Sequence, residues 1–199
     1  MKKSYDLMHH WATLIATVII AGLIFGSCTK EVNEPEGTSH TLKDGCGETS
    51  YILWAGQNIN AGNLVVWNDL DNLYIEYQIT DPSQALQELH LWAGTDIEDC
   101  PQTKKDNPVP GQFPYYASAT ASKPYGYPYL VNPMYYLLVI PLTDIGVDLS
   151  TDCGSPLYIA AHGKAAVETM WSAGTRFVPP PGTWATYSTY TICCNDAKK

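Results

Sequence analysis

The sequence predicts an all-β protein: an antiparallel β-sandwich of about seven to nine strands with long loops, stapled by disulfides. Three observations lead there. Past residue 45 the apolar residues recur with a period of two, and no long segment shows the 3.6-residue period of a helix. Clusters of Asn, Asp, Pro and Gly punctuate the apolar runs. Finally, six cysteines sit on a chain that opens like an exported one.

The opening 27 residues read as a lipoprotein signal peptide. Lys2 and Lys3 make a basic start, the apolar run "WATLIATVIIAGLIF" spans 11–25, and small residues lead into Cys28. That run is shorter than the roughly 20 residues of a bilayer span. "IFGSC" resembles a bacterial lipobox, which implies cleavage after Ser27 and lipidation of Cys28. Several acyl chains on one residue anchor stably where one would bind reversibly. Cleavage removes Lys2, Lys3 and Asp6, taking the formal net charge from −9 to −10. So acidic a chain excludes nucleic acid as a partner and leaves the lipid as the only membrane tether. Residues 28–45 are polar and read as a lipid-anchored flexible stalk, 46–194 as the folded domain and 195–199 as a tail. The expected location is the cell envelope, at the outer membrane of a Gram-negative bacterium.

Within the domain the strands follow in order. "YILWA" (51–55) and "NLVVW" (63–67) come first, then "NLYIEYQI" (72–79), where Leu73, Ile75, Tyr77 and Ile79 share one face. "NDLDN" (68–72) between them is a hairpin turn, since Asn and Asp tolerate turn geometry. "LQELHLWA" (86–93) sets Leu89 and Leu91 against His90 and Trp92. "MYYLLVIPL" (134–142), "PLYIAAH" (156–162) and "TWATYSTYTI" (183–192) complete the set. Two long loops remain, 94–114 and the tyrosine-rich 114–129. Long loops on a rigid sheet are where function tends to sit.

Cys46, Cys100, Cys153, Cys193 and Cys194 are the disulfide candidates. A bridge from Cys46 to the Cys193/Cys194 doublet would tie the ends of the domain, with Cys100–Cys153 as the second pair. No CxxC pair or zinc-type histidine spacing is present. Asp96, Glu98 and Asp99 in "TDIED" are the calcium candidate, and no other cofactor is implied.

Two groups carry the functional expectation. Tyr115, Tyr116, Tyr125, Tyr127 and Tyr129 lie on the second loop, and flat amphipathic rings suit sugar faces and protein partners. The stretch "AAHGKAAVETMWSAGTRF" (160–177) offers a polar set of His162, Glu168 and Arg176. On one strand His162 and Glu168 would stand about 20 Å apart, so they meet only if 163–167 bend, which Gly163 permits. Glu168 and Arg176 could instead pair structurally, with Trp171 and Phe177 as apolar anchors.

Four motifs follow one another: "PGQFPY" (110–115), "YIAAHG" (158–163), "ETMWSAGTRF" (168–177) and "WATYSTYTICC" (184–194). Their order resembles that of a recurring exported, β-rich domain of Bacteroidetes-type bacteria. In that family they read PGQFPY, YIAAHA, ETAWGxGxxF and WxxYFxYxxxxC. The chain departs from the pattern at Gly163 and Met170. The resemblance implies an exported β-rich domain and no catalytic residue. The leading expectation is a non-enzymatic, lipid-anchored module that binds glycan or protein through aromatic loops. A structural subunit of a surface assembly is the second expectation, and a hydrolase built on His162 and Glu168 the third.

Overall fold

Among the described residues ten strands carry the fold: β1 (Cys46–Ala55), β2 (Ile59–Asn68), β3 (Asn72–Ile79), β4 (Glu88–Gly94), β5 (Tyr115–Ser118), β6 (Tyr135–Pro141), β7 (Pro156–Lys164), β8 (Thr169–Ser172), β9 (Thr175–Arg176) and β10 (Thr186–Thr191). The structure is a computed structural model that describes residues 46–119 and 132–194. Cys28, Tyr125, Tyr127 and Tyr129 lie outside the described residues, as does the side chain of Cys46. All pairings are antiparallel, in the order β5-β4-β7-β8-β1-β2-β3-β6. The all-β antiparallel class expected from the sequence is the one found.

The two faces of the sheet follow from the pleat. On β3, Leu73, Ile75 and Tyr77 are fully buried and Ile79 nearly so, and they align with Leu64 and Val66 of β2. The sheet curls until its halves face each other across this core. The hydroxyl of Tyr77 on β3 lies 3.4 Å from the backbone carbonyls of His90 on β4 and of His162 on β7. Each fully buried Leu, Ile or Val contributes roughly 1.5–3 kcal/mol, so this interior is the main source of stability. "NDLDN" is the hairpin turn expected: Asp69 Oδ1 accepts from the N–H groups of Asp71 and Asn72, and Oδ2 from the Tyr74 hydroxyl.

At β7 the sheet branches. One side of the strand pairs along its length with β4; the other pairs first with β10 (Leu157↔Tyr190) and then with β8 (His162↔Trp171). No backbone ladder joins β8 to β10, and hydroxyls take its place. Thr186 Oγ1 donates to the Ser172 carbonyl at 2.6 Å, Ser188 Oγ to the Ala173 carbonyl at 2.9 Å, and the two serine hydroxyls meet at 2.8 Å.

The end of the domain is clamped by Asn68, which is buried. Its Nδ2 donates to the carbonyls of Asp69 and Cys193, and its Oδ1 accepts from the Cys193 N–H and the Tyr190 hydroxyl. All four hydrogen-bonding positions of the amide are filled. Beside it, Cys153 bonds to Cys194, and Cys193 is disulfide-bonded too. The expected Cys100–Cys153 pair is therefore corrected. Cys100 is a free, buried thiol packed under the loop before β5, among Trp92 and Phe113, while Cys153 faces the C-terminal doublet.

A second correction concerns 114–129. Tyr115 and Tyr116 are not loop residues but part of β5, opposite Leu91 and His90. Tyr115 packs on the main core, and Tyr116 is buried with its ring 4.7 Å from that of His90. Tyr116 is thus covered, while Tyr115 stays partly exposed.

Candidate functional site

The outer face of β5-β4-β7-β8-β1 carries a row of rings set by register alone. Tyr116, His90, His162, Trp171 and Trp54 are successive cross-strand partners. Ring centroids are 5.5 Å apart between the two histidines and 4.9 Å between His162 and Trp171. The loops before β5 and between β9 and β10 fold over this row. They bring Phe113 to 6.5 Å and Phe177 to 6.3 Å from Trp171, both edge-on, and Trp92, Cys100, Ala160 and Ala185 fill the remaining space. Edge-to-face packing of this kind is favoured by the ring quadrupoles.

His162 is thus largely, though not fully, covered by its neighbours. Burial, helped by the neighbouring His90 and Lys164, pulls its pKa down to about 3. Neutral imidazole is the form that this apolar surrounding tolerates. Its Nδ1 is buried with no hydrogen-bond partner among the described residues.

The polar set read from the sequence does not come together. Residues 165–168 form the turn of a β7–β8 hairpin, closed by the Ala165 N–H donating to the Glu168 carbonyl. The Glu168 carboxylate lies over the β1–β2 turn, within 2.8 Å of where a side chain on Gly56 would begin. His162 meanwhile faces the rings, and no ion pair joins Glu168 to His162 or Arg176 among the described residues. Gly163 does not bend the chain. It sits inside β7, opposite Met170, whose Cγ would be 2.6 Å from any added Cβ. The long side chain of Met170 on β8 therefore occupies the space that Gly163, with no side chain, leaves on β7.

Arg176 belongs elsewhere. An open groove of about 250 Å³ runs between the β1–β2 turn and the strands β8 to β10. Trp54, Trp171 and Trp184 line it, with Gln57, Arg176 and Thr186 as its polar groups. Trp171 is nearly inaccessible, whereas Trp54 and Trp184 are partly exposed. Gln57 holds a left-handed backbone (φ 72°) at the turn, a conformation that costs a non-glycine residue and recurs at functional sites. Arg176 is placed by pairing with Thr186 in the short β9–β10 ladder. Gly174 lets the chain cross over the backbone of Tyr187, since an added Cβ there would lie 2.0 Å from the Tyr187 carbonyl oxygen.

Sequence reasoning singled out Trp171 and Arg176 within this groove and missed Trp54, Gln57, Trp184 and Thr186. Trp54 and Trp171 lie far apart along the chain, and only the register Trp54↔Trp171 unites them. Asp96, Glu98 and Asp99 form a short turn in which Asp96 Oδ1 accepts from the Glu98 N–H at 3.0 Å. Among the described residues no group of three or more His, Cys, Asp or Glu side chains is arranged to hold a metal ion. No known protein family, curated protein or solved structure matches the chain.

Proposed function

We propose that the protein is a lipid-anchored binding module of the cell envelope that holds glycan in the groove of Trp54, Trp171 and Trp184. The observation carrying this reading is the convergence of three tryptophans from three strands or loops on one open groove beside polar side chains. Indole faces stack on the apolar faces of sugar rings, while amide, hydroxyl and guanidinium groups meet the hydroxyls at the rim. The space is below the roughly 300–1,000 Å³ that encloses a whole drug-sized ligand, which suits one or two rings of a longer chain. Anchoring through Cys28 follows from the lipobox resemblance, and the Cys153–Cys194 disulfide fits an oxidising compartment.

The reading moves the ligand surface from the tyrosine loop to the tryptophan groove, because Tyr115 and Tyr116 are committed to packing. Glycan-array binding by the detergent-solubilised full chain, repeated with Trp54→Ala and Trp184→Ala, tests it. Each variant is expected to weaken binding by about 2 kcal/mol, roughly thirtyfold, with the circular dichroism unchanged. Undiminished glycan binding in both variants would exclude the groove.

A further inference from the structure

The geometry points to an acidic sugar as the groove's ligand: Arg176 grips the carboxylate of a uronic acid, or a sulfate ester, while Trp54 and Trp184 hold the rings. This rests on the groove being the glycan site and adds the charge of what it selects. Arg176 is the chain's single arginine, in a sequence of formal net charge −9. An acidic protein repels an anionic ligand at long range, so a local cation is needed wherever one is to be bound. The lone guanidinium stands at the tryptophan groove.

No described residue uses that charge. Among the described residues the Arg176 side chain makes no ion pair and no hydrogen bond. Its backbone is nevertheless fixed by the β9–β10 ladder opposite Thr186, which is itself tied to β8 through the Ser172 carbonyl. An arginine needed only for solubility requires neither a fixed strand position nor a place at a groove. A guanidinium offers a planar fork of donors that matches a carboxylate or sulfate two bonds at a time, which the point charge of a lysine does not. The partly buried tryptophans beside it lower the local dielectric and strengthen the pairing. A neutral sugar would gain little from the charge.

The test compares charged and uncharged twins of one saccharide, by calorimetry on the detergent-solubilised full chain. One pair is an oligogalacturonate and its methyl ester; the other is a sulfated chondroitin oligosaccharide and its desulfated form. At least one charged member is expected to bind about tenfold or more tightly than its twin. Arg176→Gln should erase that preference, Arg176→Lys should restore part of it, and Trp54→Ala should weaken both twins alike. Which pair shows the preference distinguishes carboxylate from sulfate. If twins bind equally and Arg176→Gln changes nothing while Trp54→Ala still weakens binding, the charge proposal falls and the glycan groove stands. A preference that survives Arg176→Gln also overturns it. If neither pair binds the wild-type chain, the charge proposal falls, and the glycan array decides the groove reading by itself.

Discussion

Gly163 and Met170 predict a sharp energetic coupling. Met170 is fully buried, its side chain lies across the Cα of Gly163, and Leu86 Cδ2 closes the same space at 3.0 Å from where a Cβ on Gly163 would stand. Met170→Ala alone empties that space and should cost about 2–5 kcal/mol, the usual range for such a truncation in a core. Gly163→Ala alone forces a methyl to 2.6 Å from Met170 Cγ and 2.8 Å from Sδ; overpacking of this kind costs about 1–3 kcal/mol. Together the changes relieve each other, because the methyl added on β7 enters part of the void that the truncation on β8 leaves. The double variant should therefore be more stable than the sum of the single effects by about 1–3 kcal/mol. Urea unfolding of the four proteins, with a common slope, measures the cycle. Additivity within about 0.5 kcal/mol would refute the idea that these residues share one space.

Two further outcomes are expected. Because the pKa of His162 is held at about 3 when folded, against about 6.5 when unfolded, only the unfolded chain takes up this proton between those values. Stability is then full above about pH 6.5 and falls as the pH drops towards 3, by on the order of 2 kcal/mol between pH 7 and pH 5. Urea titrations of His162→Leu should show that part of the slope removed; an unchanged pH dependence would mean that the imidazole is not shielded. Asn68→Ala strips partners from the Cys193 amide and carbonyl and from the Tyr190 hydroxyl. It should cost about 2–4 kcal/mol, seen as a lowered urea midpoint, and a loss below about 0.5 kcal/mol would show that solvent replaces the clamp.

Strand alternation made most of the fold legible. "NLYIEYQI" announces β3 residue for residue, because one face (Leu73, Ile75, Tyr77, Ile79) is buried in the core while Tyr74 and Gln78 on the other stay partly exposed, and a period of two serves that contrast. β5, β8 and β9 were not legible. They span four, four and two residues, too few for a period to repeat, and their conformation is imposed by neighbours in the sheet. The candidate site fared worse for a similar reason. Its tryptophans come from β1, β8 and the loop before β10, and no spacing rule links residues whose meeting depends on sheet register. The cysteines misled for another reason: tying Cys46 to the C-terminal doublet left Cys100 and Cys153 as the second pair, whereas the fold buries Cys100 as a free thiol and turns Cys153 towards Cys194.

The order of the strands also fixes when the molecule can close. β1, β2 and β3 can zip as a local meander, but the second edge of β1 is satisfied only by β8, through Leu53↔Ser172 and its neighbours, more than a hundred residues later. β7 likewise waits for β10, and Cys153 for Cys194. Pairings so distant along the chain slow folding, since their loop closure precedes any reward. Until its last strand has emerged, the polypeptide keeps open edges and can still be pulled through a narrow pore as a thread. Under the envelope location proposed above, that delay leaves the chain unfolded for its crossing, and it is written into which strand must find which.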